Sequence, residues 1–412
     1  MDKYNSYKDS GVKWLGQIPS HWEAKRLASY FSERKVKVSD KDYMPLSVTK
    51  MGILPQLENV AKTDDGDNRK LVLAGDFVIN SRSDRKGSSG VSDYDGSVSL
   101  INLVLQPRSG ILPRFCNYYF KSYGFIEEFY RNGHGIVADL WTTRDDEMKM
   151  IKVAIPPLNE QESMVNYLDK ATARIDEAIS QQQSLIDLLN ERKRIIIFNA
   201  VTKGLDLNVE LRDSGIEWVG KMPSHWDIFK GKVVCRVQCG CPFDSKLFSL
   251  ENGFPLIRIR DISSGKIETY FDGPYQEKYV VRKDDILVGM DGDFTVRWWD
   301  NVDGLLNQRC CRVFPNELIS NRFLFYYLPI GLKIINDMTP ATTVKHLSDK
   351  DIKNMPICVP PIKEQQKIVA YLDEQSSIID VAIENANHLI ALLYERKQII
   401  LNDVVTGKVK LL

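Results

Sequence analysis

The stretch PPLNEQESMVNYLDKATARIDEAISQQQSLIDLLNERKRIIIFNAVTKG, residues 156–204, occurs a second time in the chain. Residues 360–408 read PPIKEQQKIVAYLDEQSSIIDVAIENANHLIALLYERKQIILNDVVTGK. The copies align without a gap at an offset of 204 residues, with Asp169 on Asp373, Arg192 on Arg396 and Val201 on Val405. A repeat at fixed period decides architecture before any local feature does. With 412 residues, the chain is two near-equal halves plus four residues.

Within each copy a heptad seam is legible. In the first it runs Val165, Leu168, Thr172, Ile175, Ile179, Gln182, Ile186, Leu189, Lys193 and Ile196, mostly apolar. The second has Val369, Leu372, Ser376, Ile379, Ile383, Ala386, Ile390, Leu393, Lys397, Ile400 and Val404. These are the a/d steps of helices that pack along one stripe. Roughly 40 residues at ~1.5 Å each give a rod of about 60 Å. A Pro-Pro pair ends the preceding strand, and Asn159 with Glu162 reads as a capping box. In the second copy Lys363 takes the cap place. Lys193 and Lys397 sit on the seam, where they are expected to snorkel near a helix end and to suit the helix dipole. A globular segment separates the copies, so an intramolecular antiparallel coiled coil with a head at each end is the expected arrangement.

A shorter segment before each head repeats at the same offset. DSGVKWLGQIPSHWE (residues 9–23) returns as DSGIEWVGKMPSHWD (residues 213–227), identical at nine of fifteen positions. Its Gly and Pro mark turns, and Trp14, Trp22, Trp218 and Trp226 read as anchors that pin those turns to a core. His21 and His225 have no repeated acid, Cys or Ser at a catalytic spacing, and read as structural. Between these flanks the sequence diverges. Strand-like runs at 71–80 and 97–107 precede an aromatic helix at 114–130; the second half offers FPLIRIRDI, DDILVGMDGDF and QRCCRVFP as strands, then NRFLFYYL as helix. Asp76-Phe77-Val78 answers Asp285-Ile286-Leu287 at an offset of 209, and Tyr118-Tyr119 answers Tyr326-Tyr327 at 208. The flanks hold register and the interiors drift.

Composition bounds the function class. The chain is 43% hydrophobic and 27% charged with a formal net charge of zero, ordinary for a globular protein. Residues 160–200 carry a net −2 and 363–403 a net −3, so the remainder carries +5. No run is long enough to span a membrane, the N-terminus is not a signal peptide, and seven unevenly placed cysteines suit reduced thiols in a cytoplasm. Cys235, Cys239 and Cys241, with Cys310 and Cys311, match no common zinc spacing and read as small buried thiols. Residues 349–353, DKDIK, read as a capped helical turn before the last strand.

The paired W-x-G-x-x-P-x-H-W segments, the P-P-x-x-E-Q helix starts and the E-R-K-x-I-I segments stand in the order head–helix–head–helix. Together they make the whole chain resemble the specificity (S) subunits of type I restriction–modification systems. The resemblance implies an α+β chain with two target-recognition domains (1–155 and 205–359) and two conserved spacer helices (156–204 and 360–412). It implies a cytoplasmic, non-catalytic subunit that binds double-stranded DNA, reading an asymmetric bipartite site with half-sites about one helical turn apart, one domain per half-site. It also implies docking of two modification (methyltransferase) subunits and of restriction subunits that translocate and cut. S-adenosylmethionine, ATP and Mg are then expected on those partners, with no cofactor or metal in this chain. No Asn/Asp-Pro-Pro-aromatic loop and no Gly-rich phosphate cradle occurs here. The triplets Glu191-Arg192-Lys193 and Glu395-Arg396-Lys397 are the candidate helix-frame and docking residues. An alternative from another class is a coiled-coil adaptor without base-specific contacts.

Base reading needs bidentate donors on an element that enters a groove, and phosphate grip needs cations. In the first head the loop NSRSDRKGSSG supplies Arg82, Arg85 and Lys86, with Lys50, Arg69, Lys70 and Arg144 in support. In the second, Arg258 and Arg260 read as alternating on one strand and so sharing a face. Arg297 and Trp298 follow, then Thr343, Lys345 and His346.

Overall fold

The computed structural model describes residues 2–57, 66–136, 141–338 and 345–411. The chain divides into two compact units: residues 1–183 with 386–412, and residues 184–385. Two long helices, Leu158–Lys203 and Ile362–Val405, each contribute one part to each unit. No helix among the described residues is long and apolar enough to cross a membrane.

In the first unit a four-stranded antiparallel sheet runs in the order Ser89–Val91, Phe77–Asn80, Asn102–Pro107, Phe31–Glu33. A three-stranded sheet orders Gly96–Val98, Arg69–Val72 and Lys37–Val38, leaving Lys37–Val38 at an edge. Phe31, Phe77, Phe115, Tyr119, Phe120, Phe125 and Phe129 are buried together with Trp22 from the repeated PSHW segment. The aromatic stretch at 114–130 is two helices, Pro113–Tyr119 and Tyr123–Arg131. Ser122 is extended between them and its hydroxyl donates to the Tyr119 carbonyl. That break lets both Phe120 and Phe125 enter the core, ring centroids 4.5 Å apart.

The second unit is built alike with different residues. Its four-stranded sheet orders Cys235–Cys239, Cys310–Pro315, Ile286–Gly289 and Val296–Trp298. Trp226 is buried with Phe323, Tyr327 and Ile357. FPLIRIRDI is a strand only as far as Ile257. Asp261 accepts from the Arg258 N–H at 2.9 Å and starts a helix, Ile259–Ser264, which Gly265 ends at φ 75°. Arg258 and Arg260 therefore do not alternate along a strand. Cys235 and Cys239 face the strand that carries Cys310 and Cys311, and burial pushes the Cys310 thiol up to about 12. The DKDIK run lies in a helix, Asp349–Asn354, capped by Ser348 ahead of the last strand, as its sequence predicts.

The P-P-x-x-E-Q motif fastens helix to head in each unit. Gln161 is fully buried, and its amide donates to the carbonyls of Pro156 (2.7 Å) and Gly110 (2.9 Å). Its Oε1 accepts from the Leu112 N–H at 2.8 Å. Gln365 does the same in the second unit, donating to Pro360 and Leu318 carbonyls at 2.8 and 2.9 Å and accepting from Ser320 N–H at 2.7 Å. Glu160 meets His21 at 2.5 Å and accepts from the Trp22 indole at 3.1 Å; Glu364 meets His225 at 2.8 Å. This explains the paired histidines. The expected capping box is absent, because the helix already begins at Leu158 and Asn159 lies inside its first turn.

Seam places are covered in both units, Val165, Leu168, Thr172 and Ile175 in the first and Leu372, Ser376 and Ile379 in the second. At the start of the second seam Ile368 is the buried residue and the expected Val369 is half-buried. In the first unit Met164 and Leu168 cluster with Leu401 and Val404, while further along Asp176 binds Lys397, so the paired segments run antiparallel. Lys397 Nζ donates to both Asp176 oxygens at 2.6 and 2.7 Å. In the second unit Lys193 Nζ donates to both Asp380 oxygens, each at 2.7 Å. The seam lysines are thus held by a carboxylate of the facing helix rather than reaching for a helix end.

Replacing Gln161 by Ala strands two carbonyls and one N–H in a dry site, at about 1 kcal/mol or more each. Gln161→Ala and Gln365→Ala are each expected to cost roughly 3 kcal/mol in urea unfolding, against less than about 1 kcal/mol for the exposed Gln366→Ala.

Candidate nucleic-acid interface

Burial sorts the candidate cations of the first head. Arg69 is only 4% exposed, with its guanidinium donating to the Ser97 hydroxyl (2.9 Å) and carbonyl (3.0 Å). It is an internal tie between strands and not a surface contact. Lys86 is turned to Glu127 at 2.6 Å, and Lys50 is exposed at the tip of the hairpin Leu46–Thr49/Gly52–Pro55. Arg85 is 69% exposed.

Three of the cations converge. Residues 81–83 pair with 141–143: Thr143 N–H donates to Ser81 O at 2.9 Å and Ser83 N–H to Trp141 O at 2.9 Å. That brings Arg82 beside Thr142 and Arg144, and Lys70 joins them from the neighbouring strand, around an open cleft of about 660 Å³. The cleft also holds Lys35 and Lys37, which the sequence reading missed. They form no cluster in sequence with the others.

On its floor lies an acidic pair. Glu33 accepts from Lys70 at 2.9 Å and meets Lys35 at 3.1 Å; Asp145 pairs with Lys149. Both side chains are nearly buried, 5% and 10% exposed. Burial and the Glu33 charge raise the Asp145 carboxyl above its ordinary value. Glu33 is buried too, yet Lys70 and Lys35 outweigh this and lower it.

In the second head Arg297 is spent internally, donating to the Ile262 carbonyl at 3.0 Å. Trp298 lies on the opposite side of that strand, its ring 4.6 Å from the Arg322 guanidinium and its indole donating to Asp284. It lines a groove with Ile195 and Phe198 of the first long helix. Arg297 and Trp298 are both half-buried and already make these contacts within the head. Arg258 is half-buried, and Arg260 is exposed beside Glu268 (3.4 Å) and Thr269 (2.8 Å). Lys345 donates to Asn336, and Thr343 lies outside the described residues. His346 is brought to Asp291 at 2.7 Å with Arg309 alongside, by a backbone bridge between Asp291 and His346. Asp291 and Arg309 were not foreseen.

Of the helix-frame residues, Lys193 and Lys397 are the inter-helix ties described above. Glu191 pairs with Arg194, and Arg192, Glu395 and Arg396 are exposed. Among the described residues no group of three or more His, Cys, Asp or Glu is arranged to hold a metal ion.

The acidic pair gives a signed prediction. A carboxyl held above its unfolded value favours the folded state when protonated and loses that contribution as pH rises; Glu33, held below, contributes above its unfolded value and loses it as pH falls. At neutral pH Asp145→Asn is expected to leave stability unchanged or raised, since Lys149 is solvent-screened. Glu33→Gln takes the counter-charge from the nearly buried Lys70, which keeps its bond to the Asn102 carbonyl, and is expected to cost about 3 kcal/mol in urea unfolding. Equal losses for the two variants contradict the assignment.

The family model for the "Type I restriction modification DNA specificity domain" matches residues 223–390. The EcoBI specificity subunit of Escherichia coli is 33% identical over 213 residues, a match spanning 51% of this chain and less than half (44%) of that subunit. The MjaVIII specificity subunit of Methanocaldococcus jannaschii is 24% identical over 433 residues, covering 98% of this chain and 97% of its own. A solved chain from work on complex assembly and conformational transition of the type I R-M system superposes with a TM-score of 0.72 at 17% identity, covering 95% of this chain and 99% of that one. At that identity the superposition speaks for the fold alone. The chain is thus similar to type I restriction–modification specificity subunits, through the second head and the start of the helix after it by the family model, and along nearly its whole length by the MjaVIII subunit.

Proposed function

We propose that this chain reads an asymmetric, bipartite site in double-stranded DNA, each head taking one half-site, and that it does so for catalytic partners rather than by chemistry of its own. The observation that carries this reading is one backbone position built twice with different side chains. Arg82 bridges to Thr142 in the first head, and Asp291 bridges to His346 in the second. Arg is a donor suited to guanine, whereas a carboxylate accepts from the cytosine amine. Two frames alike and two rims unlike suit two different half-sites.

The modification subunits have a surface available in each unit. In the second, Leu185, Leu188 and Ile195 are 43%, 68% and 50% exposed on the outer side of the first long helix. In the first, Leu389, Leu392 and Ile399 are 41%, 45% and 53% exposed on the other. These are the places 204 residues apart, away from the seam, and exposed apolar stripes mark contact surfaces. A chain that offers the same stripe twice suits two copies of one partner. S-adenosylmethionine, ATP and Mg belong on the modification and restriction subunits in this reading.

Site selection from random duplex DNA, with a modification subunit present, tests the reading. A split consensus with unlike halves is expected, and Arg82→Ala is expected to relax one half by about 1–3 kcal/mol of discrimination while sparing the other. No enrichment at all favours a coiled-coil adaptor instead.

A further inference from the structure

The cleft of the first head contains two lysines that neither the sequence motifs nor the family match assigns to anything. Leu71 N–H donates to the Val36 carbonyl at 2.9 Å, which extends the edge strand Lys37–Val38 back by a residue. Lys37 on this extended edge and Lys35, the residue just before it, both line the cleft, while Val36 is 52% exposed. Lys35 is 69% exposed, and Lys37 is exposed as well.

Arg82, Thr142 and Arg144 line the same cleft, held there by the pairing of residues 81–83 with 141–143. Lys70 is fixed beneath by Glu33. The lining thus carries five cations, Lys35, Lys37, Lys70, Arg82 and Arg144, against the carboxyls of Glu33, Asp145 and Asp146. Only Asp146 among those three is exposed, at the rim; Glu33 and Asp145 are sunk into the floor and engaged by lysines. The accessible charge of the lining is therefore mainly cationic. Spaced, flexible ammonium groups on an edge strand act as point charges suited to phosphate, while Arg82 and the Thr142 hydroxyl offer directional donors beside them.

We infer that this cleft seats the sugar–phosphate backbone of one DNA strand, and that Lys35 and Lys37 are its phosphate contacts. The inference rests on the DNA-reading function proposed above and gives it an orientation: the Lys37–Val38 edge follows the backbone, and the 81–83 and 141–143 segments face the bases. Lys35 and Lys37 then contribute affinity without sequence choice.

The test is binding of the selected duplex by the chain with its modification subunit, across a series of salt concentrations. Lys35→Ala/Lys37→Ala is expected to weaken binding, to reduce the slope of log K against log salt by about 2, and to leave the selected sequence of both half-sites intact. Lys35→Arg/Lys37→Arg is expected to restore the slope, which a purely structural loss does not do. Urea unfolding of the double Ala variant is expected to fall slightly below the parent, because Lys35 also pairs with Glu33, and to return in the double Arg variant. Site-specific binding with an unchanged slope in the double Ala variant overturns the cleft assignment and leaves the function standing. Failure of the parent chain to select any site overturns the function as well.

Discussion

The fold hangs on two buried carboxamides. Gln161 and Gln365 each use both amide hydrogens and the oxygen on main-chain groups of the head, with no exposure to water. A glutamine is long enough to reach across from a helix's first turn, and it neither carries charge nor needs a counterion. Glutamate at that place would turn two carbonyl acceptors against a buried anion, and leucine would leave three main-chain groups unpaired. The adjacent Glu160 and Glu364 then clamp the PSHW turn through its histidine. Each head is in this way fixed to the start of a long helix before any of its own surface chemistry matters.

The same economy extends along the helices. Tyr118 donates to Asp169 at 2.6 Å in the first unit and Tyr326 to Asp373 at 2.5 Å in the second. Gly407 and Gly204, both at φ 75°, end the helices where a Cβ would press on Trp22 and Trp226 respectively. Glu160/Glu364, Gln161/Gln365 and Asp169/Asp373 keep the 204-residue register, whereas Tyr118/Tyr326 and Gly204/Gly407 make matching joints from places 208 and 203 residues apart. Within the heads, core and rim both drift: buried Phe77 answers buried Ile286, and Arg82 at the rim answers Asp291.

That division also explains what was legible in the sequence. The helix seam, the tryptophan anchors and the tyrosine pair follow from periodicity and from residue types with few alternatives once buried. The cations did not sort themselves, because Arg and Lys serve equally as surface charges and as internal ties. Arg69 and Arg297 satisfy strand and helix carbonyls or hydroxyls, and Trp298 stacks on Arg322. Alternation placed Arg258 and Arg260 on a strand, but the Asp261 carboxylate and Gly265 bound a helix over the same residues. Lys35 and Lys37 escaped notice because they come together with Arg82 and Arg144 only through long-range strand pairing. Lys193 and Lys397 were correctly placed on the seam, yet their partners, Asp380 and Asp176, lie on the facing helix and far away in sequence.

The most direct measure of the central claim is a hydroxyl-radical footprint of the chain, bound with its modification subunit to a duplex it selects. Two separate protected patches of unlike sequence, with an accessible interval between them, are the result predicted for one frame carrying two different readers. A single continuous patch, or two patches of identical sequence, contradicts it.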